Sequence, residues 1–219
     1  MADRSHALVK PGMAGEAALT PLYSAARALL GRDGGDRSLL AEHIAPRPHD
    51  LIVDFFCGAG ELALQLAKLQ PAARILAVDS DPTLVARAQA RGAALSDAVN
   101  FACAAPDDIP RLLRSVCATK VVVTLTDTHS PVEKSRLLEL ARSIIDPLGA
   151  LFVIDHGAQR TALMRGLFNA DRARRSAPSV VDRELASPLI RLAGFVAVDE
   201  ALSWATTTGS VSLFRARAS

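Results

Sequence analysis

The sequence has few cysteines and few aromatic residues, and it has no long apolar run. Three cysteines, Cys57, Cys103 and Cys117, leave one unpaired in any disulfide scheme and lack metal-binding spacing, so we expect reduced thiols and no metal site. No apolar run reaches the roughly 18 residues that a membrane-spanning helix needs, and the first residues lack the layout of a signal peptide. These absences predict a cytoplasmic protein that does not insert into a membrane.

The sequence also has no large excess of charge of either sign. The chain of 219 residues has 25 basic and 23 acidic residues, a formal net charge of +2, which is too weak to favour a nucleic acid or an anionic membrane surface. An arginine-rich stretch over 160–175 is the local exception. Aromatic residues are only 4% of the chain, so no stacking platform accompanies these arginines and no nucleic-acid partner is expected.

Short apolar runs alternate with helical patterns along most of the chain. The runs that predict buried parallel strands lie at 51–56, 75–78, 121–125 and 150–155. The helical patterns lie at 61–69, 82–91, 107–116 and 131–145. Two alternating segments, 194–199 and 210–215, flank a turn-like Thr206–Gly209 connector and predict an antiparallel hairpin. The order β-α-β-α-β-α-β-α-β, which includes a strand between the helices at 82–91 and 107–116, is followed by the hairpin. It predicts an α/β fold, a Rossmann-like doubly wound sheet of seven strands with helices on both faces.

The length fits one α/β domain. We divide it into an N-terminal helical lid, a ligand-binding core, a helical insertion that covers the substrate, and the closing hairpin, at 1–48, 49–156, 157–193 and 194–219. The lid contains two amphipathic patterns, Leu19–Gly31 and Arg37–Ile44.

The most informative stretch is a glycine turn with an acid before it. In Val53-Asp-Phe-Phe-Cys-Gly-Ala-Gly60 a strand ends and a helix begins, and Gly58 and Gly60 permit a ligand to approach the backbone. The G-x-G-x-x-A pattern also fits a dinucleotide site. However, the carboxylate of Asp54 suits a cationic amino-acid group better than an anionic pyrophosphate.

A second acid, Asp79, ends the next strand, where a carboxylate commonly accepts hydrogen bonds from ribose hydroxyls. Asp54 and Asp79 together indicate a ligand that combines adenosine with an amino acid. A solvated acid that caps the following helix is the alternative interpretation of each.

These segments resemble the class I S-adenosylmethionine (SAM) dependent methyltransferases, especially the small-molecule group that includes the ubiquinone and menaquinone C-methyltransferases. Residues 53–60 look like the family's first motif and 78–82 like its ribose motif, and 143–155 and the last two strands are also similar. Three positions depart from the family pattern, and one of them is Leu148, which replaces one of the paired glycines before the fifth strand. Phe56 stands at the first glycine of G-x-G-x-G, and Ala105 stands where the family has an acid for the adenine amine, a role for which Asp107 is a substitute.

The resemblance implies SAM as the cofactor and a set of residues around it. These are Asp54, Phe55, Phe56, Cys57, Gly58, Gly60, Asp79, Ser80, Ala105, Asp107 and Thr124. Cys57 is interpreted as a packed residue rather than a nucleophile, because no neighbouring base activates it.

Substrate-facing residues are predicted at the ends of the fourth and fifth strands and in the lid. The candidates are Tyr23, His129, Asp155, His156 and Arg160, and Tyr23, His129 and His156 are also the catalytic candidates. Packing or helix capping is an equally natural role for Tyr23, His129 and the Asp155-His156 pair.

The resulting hypothesis is a methyltransferase of the EC 2.1.1 class that methylates an O, N or C atom of a small-molecule acceptor, with secondary metabolism as one setting. A homodimer is compatible with the sequence. Two alternatives stay open: an NAD-dependent oxidoreductase, and a SAM-binding protein without transferase activity, such as a cyclase or a regulatory subunit.

Overall fold

The computed structural model describes residues 37–95, 97–105, 107–125, 130–174, 186–206 and 209–219. The predicted helix at Leu19–Gly31 and the candidates Tyr23 and His129 lie outside these residues.

The described chain forms helices and strands in alternation. The helices are α1 (Arg37–Ile44), α2 (Glu61–Leu69), α3 (Pro82–Gly92), α4 (Ile109–Leu112), α5 (Pro131–Ile144), α6 (Ala162–Arg174) and α7 (Ala186–Leu192). The strands are β1 (Leu51–Phe55), β2 (Arg74–Asp79), β3 (Val99–Cys103), β4 (Ala118–Thr124), β5 (Ile145–His156), β6 (Val196–Thr206) and β7 (Gly209–Arg217). No helix among these residues has the length and apolar character that crossing a membrane requires.

The strands form one sheet of seven in the order β3-β2-β1-β4-β5-β7-β6. The first five strands run parallel, and β7 is antiparallel to both β5 and β6. This is a Rossmann-like doubly wound sheet of seven strands with a C-terminal antiparallel hairpin, as predicted. The order reverses between β1 and β4, so a crevice opens at their carboxyl ends, which is the usual ligand position in such sheets.

Each face of the sheet carries its own hydrophobic core. On one face, here called the α1 face, α1, α2 and α3 pack on strand residues such as Ile52, Ala77 and Val122. On the other, the α5 face, α5 and α7 pack on residues such as Val53 and Val121. Because successive strand residues point to opposite faces, these two sets fix the face on which every other strand side chain lies.

Local sequence explains where the helices begin. Asp81 caps α3, accepting hydrogen bonds from the backbone N–H groups of Thr83 and Leu84 at 2.7 and 3.2 Å. Ser130 and Glu133 form a reciprocal capping box at the start of α5. The predicted helix at 107–116 is shorter than expected: α4 is a single turn, because the backbone leaves helical geometry at Leu113 and turns toward β4.

Candidate functional site

Four predicted residues lie at the carboxyl edge of the sheet on one face. Asp54 shares the α1 face with Ile52, and Asp79 shares it with Ala77. By the same alternation, Thr124 follows Val122 and His156 follows Ile154 on that face. The strand order places them across the β1/β4 crevice, with the two acids on the β2 side and His156 on the β5 side.

Asp54 is a deeply buried carboxylate at the end of β1. Its side chain is 1% exposed, and neither carboxylate oxygen has a hydrogen-bond partner among the residues that the structure describes. Burial raises the pKa of Asp54 to about 7, Arg37 opposes this rise, and the nearby charge of Asp79 adds to it. A buried polar group with unused acceptors is costly in the free protein, so Asp54 is a candidate for binding a ligand.

Asp79 has a different role, because it already organises the glycine turn. One oxygen accepts a hydrogen bond from the Gly58 N–H at 2.8 Å, and the other accepts one from the Asp81 N–H at 2.9 Å. A carboxylate has about four acceptor sites, so two remain for ribose hydroxyls.

The glycine turn joins β1 to α2. The N–H groups of Phe56 and Cys57 both donate to the Val78 carbonyl, at 2.8 and 3.2 Å, which ties the turn to β2. Gly58 has a φ of 57°, and a Cβ added there would meet no atom within 4 Å, so open space lies beside it. A Cβ on Gly60 would lie 2.6 Å from the Phe101 ring, so this position requires glycine for packing.

Gly60 is also the residue that precedes α2, and it offers no side-chain cap. The first N–H groups of α2 are therefore free of side-chain capping by that residue, and a helix N-terminus of this kind favours an anionic group. Together, Asp54 and the start of α2 provide acceptors for a cation close to donors for an anion, the two requirements of an α-amino acid group.

Phe56 and Cys57 are the two residues of the turn that directly follow β1, and they differ in backbone angle and side-chain chemistry. Phe56 has a φ of 59°, in the left-handed region that glycine occupies easily and that few other residues adopt. Burial, together with the charges of Asp54 and Asp79, raises the pKa of the Cys57 thiol above its ordinary value. The thiol is therefore protonated, as expected for a packed residue.

A groove lies between α4 and α5 next to Phe56. Its volume is about 440 Å³, and it is lined by Phe56, Asp107, Pro110, Glu133, Arg136, Leu137 and Leu140. Asp107, the residue predicted to bind the adenine amine in place of Ala105, therefore lines a cavity. The Ala105 carbonyl accepts hydrogen bonds from the N–H groups of Asp108 and Ile109, at 2.9 and 3.3 Å. Two other predicted cofactor residues are less informative, since the Phe55 side chain is fully buried in the α5-face core and Ser80 is exposed.

Asp155 requires a correction. It lies on the α5 face, where both its oxygens accept hydrogen bonds from the Lys134 ammonium at 2.9 and 2.7 Å. Both residues are buried. Burial raises the pKa of Asp155, while the charge of Lys134 opposes that rise. The expectation that Asp155 faces the acceptor is not supported, because a buried cation already satisfies it.

His156 and Arg160 lie at and just after the end of β5. The His156 ring packs edge-on against Phe168 of α6, with ring centroids 5.0 Å apart. Arg160, a predicted substrate residue, instead pairs with Glu200 of β6 at 2.5 Å and remains largely exposed. Gln159 anchors the same segment, because its side-chain amide bonds both the N–H and the carbonyl of Ser210, at 2.7 and 2.9 Å. Within the described ranges, no cluster of three His, Cys, Asp or Glu side chains could hold a metal ion.

Comparison with known proteins agrees with this geometry. Residues 52–149 match the family described as a methyltransferase domain. The matched segment runs from β1 into β5, so it contains the glycine turn and both acids of the α1 face. No curated protein matches the sequence.

Solved structures share the fold at low sequence identity. An O-methyltransferase family protein from Burkholderia thailandensis superposes with a TM-score of 0.63 at 20% identity, over 84% of this chain and 55% of that one. The [4+2]-cyclase SpnF gives 0.62 at 19% identity, over 83% and 80%. A SAM-dependent methyltransferase from Methanosarcina mazei gives 0.61 at 17% identity, over 81% and 96%.

These likenesses show the fold and leave the reaction open. The chain spans about half the length of some of the proteins it matches, 49% and 55% in two of them.

Proposed function

We propose that this protein is a SAM-dependent methyltransferase that acts on a small-molecule acceptor. The observation that carries the proposal is the buried Asp54 carboxylate, which has no partner among the described residues and adjoins a glycine turn with open space at Gly58. The methyltransferase-domain match over 52–149 includes both residues.

The residues present fit the parts of SAM. Asp54 would bind the ammonium, and the uncapped start of α2 would bind the carboxylate. The two free acceptor sites of Asp79 would bind the ribose hydroxyls. The groove with Phe56 and Asp107 would receive the nucleobase, with the Asp107 carboxylate as an acceptor for an exocyclic amine.

When bound, SAM supplies a methyl group on a positively charged sulfur. The task of the protein is then chiefly to align the acceptor and exclude water. His156, beside Phe168 on the acceptor side, is the described candidate for taking a proton from a phenol, enol or amine. Tyr23 and His129 remain predictions for the same side of the site.

The acceptor class is a finer part of the proposal. The motif resemblance to the ubiquinone and menaquinone C-methyltransferases favours aromatic and quinone-like rings as the first compounds to test. The apolar neighbour Phe168 supports a ring-shaped acceptor, because aromatic side chains pack well against flat rings.

A second candidate keeps the cofactor but not the transfer. The fold likeness to the cyclase SpnF, over 83% of this chain, is the observation that favours it. An NAD-dependent oxidoreductase has less support, since an unpaired buried carboxylate beside the turn would repel a pyrophosphate.

Titration calorimetry separates these functions. We expect binding of SAM and no binding of NAD, and tight NAD binding without SAM binding would refute the proposal. Asp79→Asn should weaken SAM binding about tenfold or more, because a charged acceptor for the ribose is lost. Asp97→Asn, which alters an exposed carboxylate, is the matched control and should bind normally.

Methyl transfer is tested by detecting a methylated product. Incubation with methyl-labelled SAM and a panel of phenols, quinols and amines should yield a labelled acceptor by mass spectrometry. SAM binding without any labelled product across the panel would favour the non-transferase candidate.

A further inference from the structure

Arg91, in the last turn of α3, reaches across to the glycine turn. Its guanidinium donates to the Ala59 carbonyl at 3.1 Å and to the Glu61 carboxylate at 2.5 Å. These two partners lie on either side of Gly60, so one side chain joins α3 to the end of the turn and to the start of α2.

Among the described residues, the end of the turn is held by a hydrogen bond within the turn, from the Gly60 N–H to the Cys57 carbonyl at 3.0 Å, whereas its beginning is bonded to β2. The beginning is fixed to β2 by the Phe56 N–H on the Val78 carbonyl and by the Gly58 N–H on Asp79, both at 2.8 Å. At the end, Gly60 has a φ of 78° and no side-chain cap. The Phe101 ring packs closely against Gly60, and Arg91 donates a hydrogen bond to the carbonyl of the preceding residue, Ala59.

Arg91 also sets the charge beside the start of α2. Partial burial raises the pKa of Glu61, but the hydrogen bond from Arg91, the hydrogen bond from the backbone N–H of Glu61 itself and the charges of Arg91 and Arg37 together lower it below its ordinary value. Glu61 is therefore ionised in the first turn of α2. Without Arg91 its negative charge would oppose an anionic group of a ligand at that helix end.

We propose that Arg91 is a positioning residue for the cofactor site. It holds the carbonyl of Ala59 so that the turn keeps its shape, and it offsets the charge of Glu61 where the carboxylate of SAM approaches. This inference rests on the proposed function, because the ligand affinity that it affects is the affinity for SAM.

The experiment compares three variants by titration calorimetry with SAM. Arg91→Gln should raise the Kd about fivefold, the factor expected from the upper range of a half-exposed ion pair. Arg91→Lys keeps a cation within reach of the turn and should stay within about twofold of the wild type. Arg87→Gln removes an exposed arginine one turn earlier on the same helix, and it should leave the Kd unchanged.

A ligand-free measurement separates positioning from general stability. In Arg91→Gln, amide hydrogen exchange of residues 57–61 should accelerate, while exchange in the strands of the core stays at the wild-type rate. Arg87→Gln should change neither.

The outcomes are distinct. Wild-type affinity of Arg91→Gln, or an equal loss of affinity in Arg87→Gln, overturns the role of Arg91 and leaves the proposed function standing. A wild-type protein that binds no SAM overturns the proposed function and the affinity role of Arg91 together.

Discussion

Replacing Asp54 with asparagine is expected to stabilise the folded protein at pH 8, although the residue belongs to the proposed cofactor site. The reason is that the wild-type protein buries a carboxylate that has no hydrogen-bond partner among the described residues. Its pKa rises from 3.8 to about 7, with burial as the largest cause. The folded state thus holds the proton more tightly than the unfolded state does.

The sign and size follow from this shift. Because the folded-state pKa is the higher one, wild-type stability is greatest below about pH 4, falls as the pH rises to about 7, and is constant above that. A shift of three units corresponds to about 4 kcal/mol. An asparagine amide has one more N–H donor to bury than a neutral carboxyl has, and we take its extra cost as about 1 to 3 kcal/mol, so the net gain at pH 8 should be about 1 to 3 kcal/mol.

Thermal denaturation at pH 5 and pH 8 measures this difference. At pH 8 the variant should melt several degrees higher, at roughly 2 to 4 °C per kcal/mol for a chain of this size. At pH 5 the folded wild-type protein holds its carboxyl neutral and should be about 3 kcal/mol more stable than at pH 8, so the advantage of the variant should vanish or reverse.

Asp155→Asn is the matched control, because it alters a strand-end carboxylate that is equally buried but paired with Lys134. It should lose about 3 kcal/mol, since it leaves a buried ammonium without its anion. A destabilised Asp54→Asn at pH 8, or a gain of the same size at pH 5, would refute the reasoning.

Three further outcomes are expected. SAM affinity, measured by calorimetry, should fall about tenfold from pH 8 to pH 6 as the Asp54 carboxylate takes up a proton, and it should be independent of pH in Asp54→Asn. Gly58→Ala should weaken SAM binding, because the added Cβ occupies the open space beside the turn and the backbone there has a φ of 57°. Gly166→Ala in α6 is the control: it should bind SAM normally, and its free energy of unfolding in urea should rise by up to about 1 kcal/mol. Lys120→Met should lower the free energy of unfolding by about 3 kcal/mol at pH 7 in urea denaturation, because it leaves the Asp50 carboxylate without its cation. The pKa of Asp50 lies below its ordinary value, so that loss should shrink as the pH falls below about 4.

Most of the sheet could be predicted from the sequence because parallel strands buried on both faces are continuous apolar runs. The helix starts were also readable, since Asp81-Pro82 and Ser130-Pro131 combine a capping side chain with a proline in the first turn. The length of α4 was not readable. Its periodic pattern continues past Leu113, but the chain must turn there to enter β4, and that constraint comes from the sheet.

The site could be predicted in part. Strand ends indicated Asp54 and Asp79, which do lie at one edge and on one face of the sheet. Lys134 was missed, although a signal existed: it lies three and four residues before Leu137 and Leu138, on the buried stripe of α5. A lysine in that position requires an anion. Arg91 gave no comparable signal, because its partners come from a separate turn brought close by the fold.

The contrast between Asp54 and Asp155 shows why sequence alone could not assign their roles. Each acid follows a run of buried apolar residues near the carboxyl end of its strand, Asp54 in β1 and Asp155 in β5. Both strands belong to the same sheet, with β4 between them. In a strand with one solvated face, alternating polarity would show which way each acid points, but both faces of these strands are buried. The face on which each acid lies is set by its position in the alternation of its strand. On the α5 face Lys134 forms an ion pair with Asp155, whereas on the α1 face Arg37 acts on Asp54 by its charge and no hydrogen bond to the Asp54 carboxylate comes from the described residues. The carboxylate that the described fold leaves unsatisfied is therefore the one that a ligand has reason to bind.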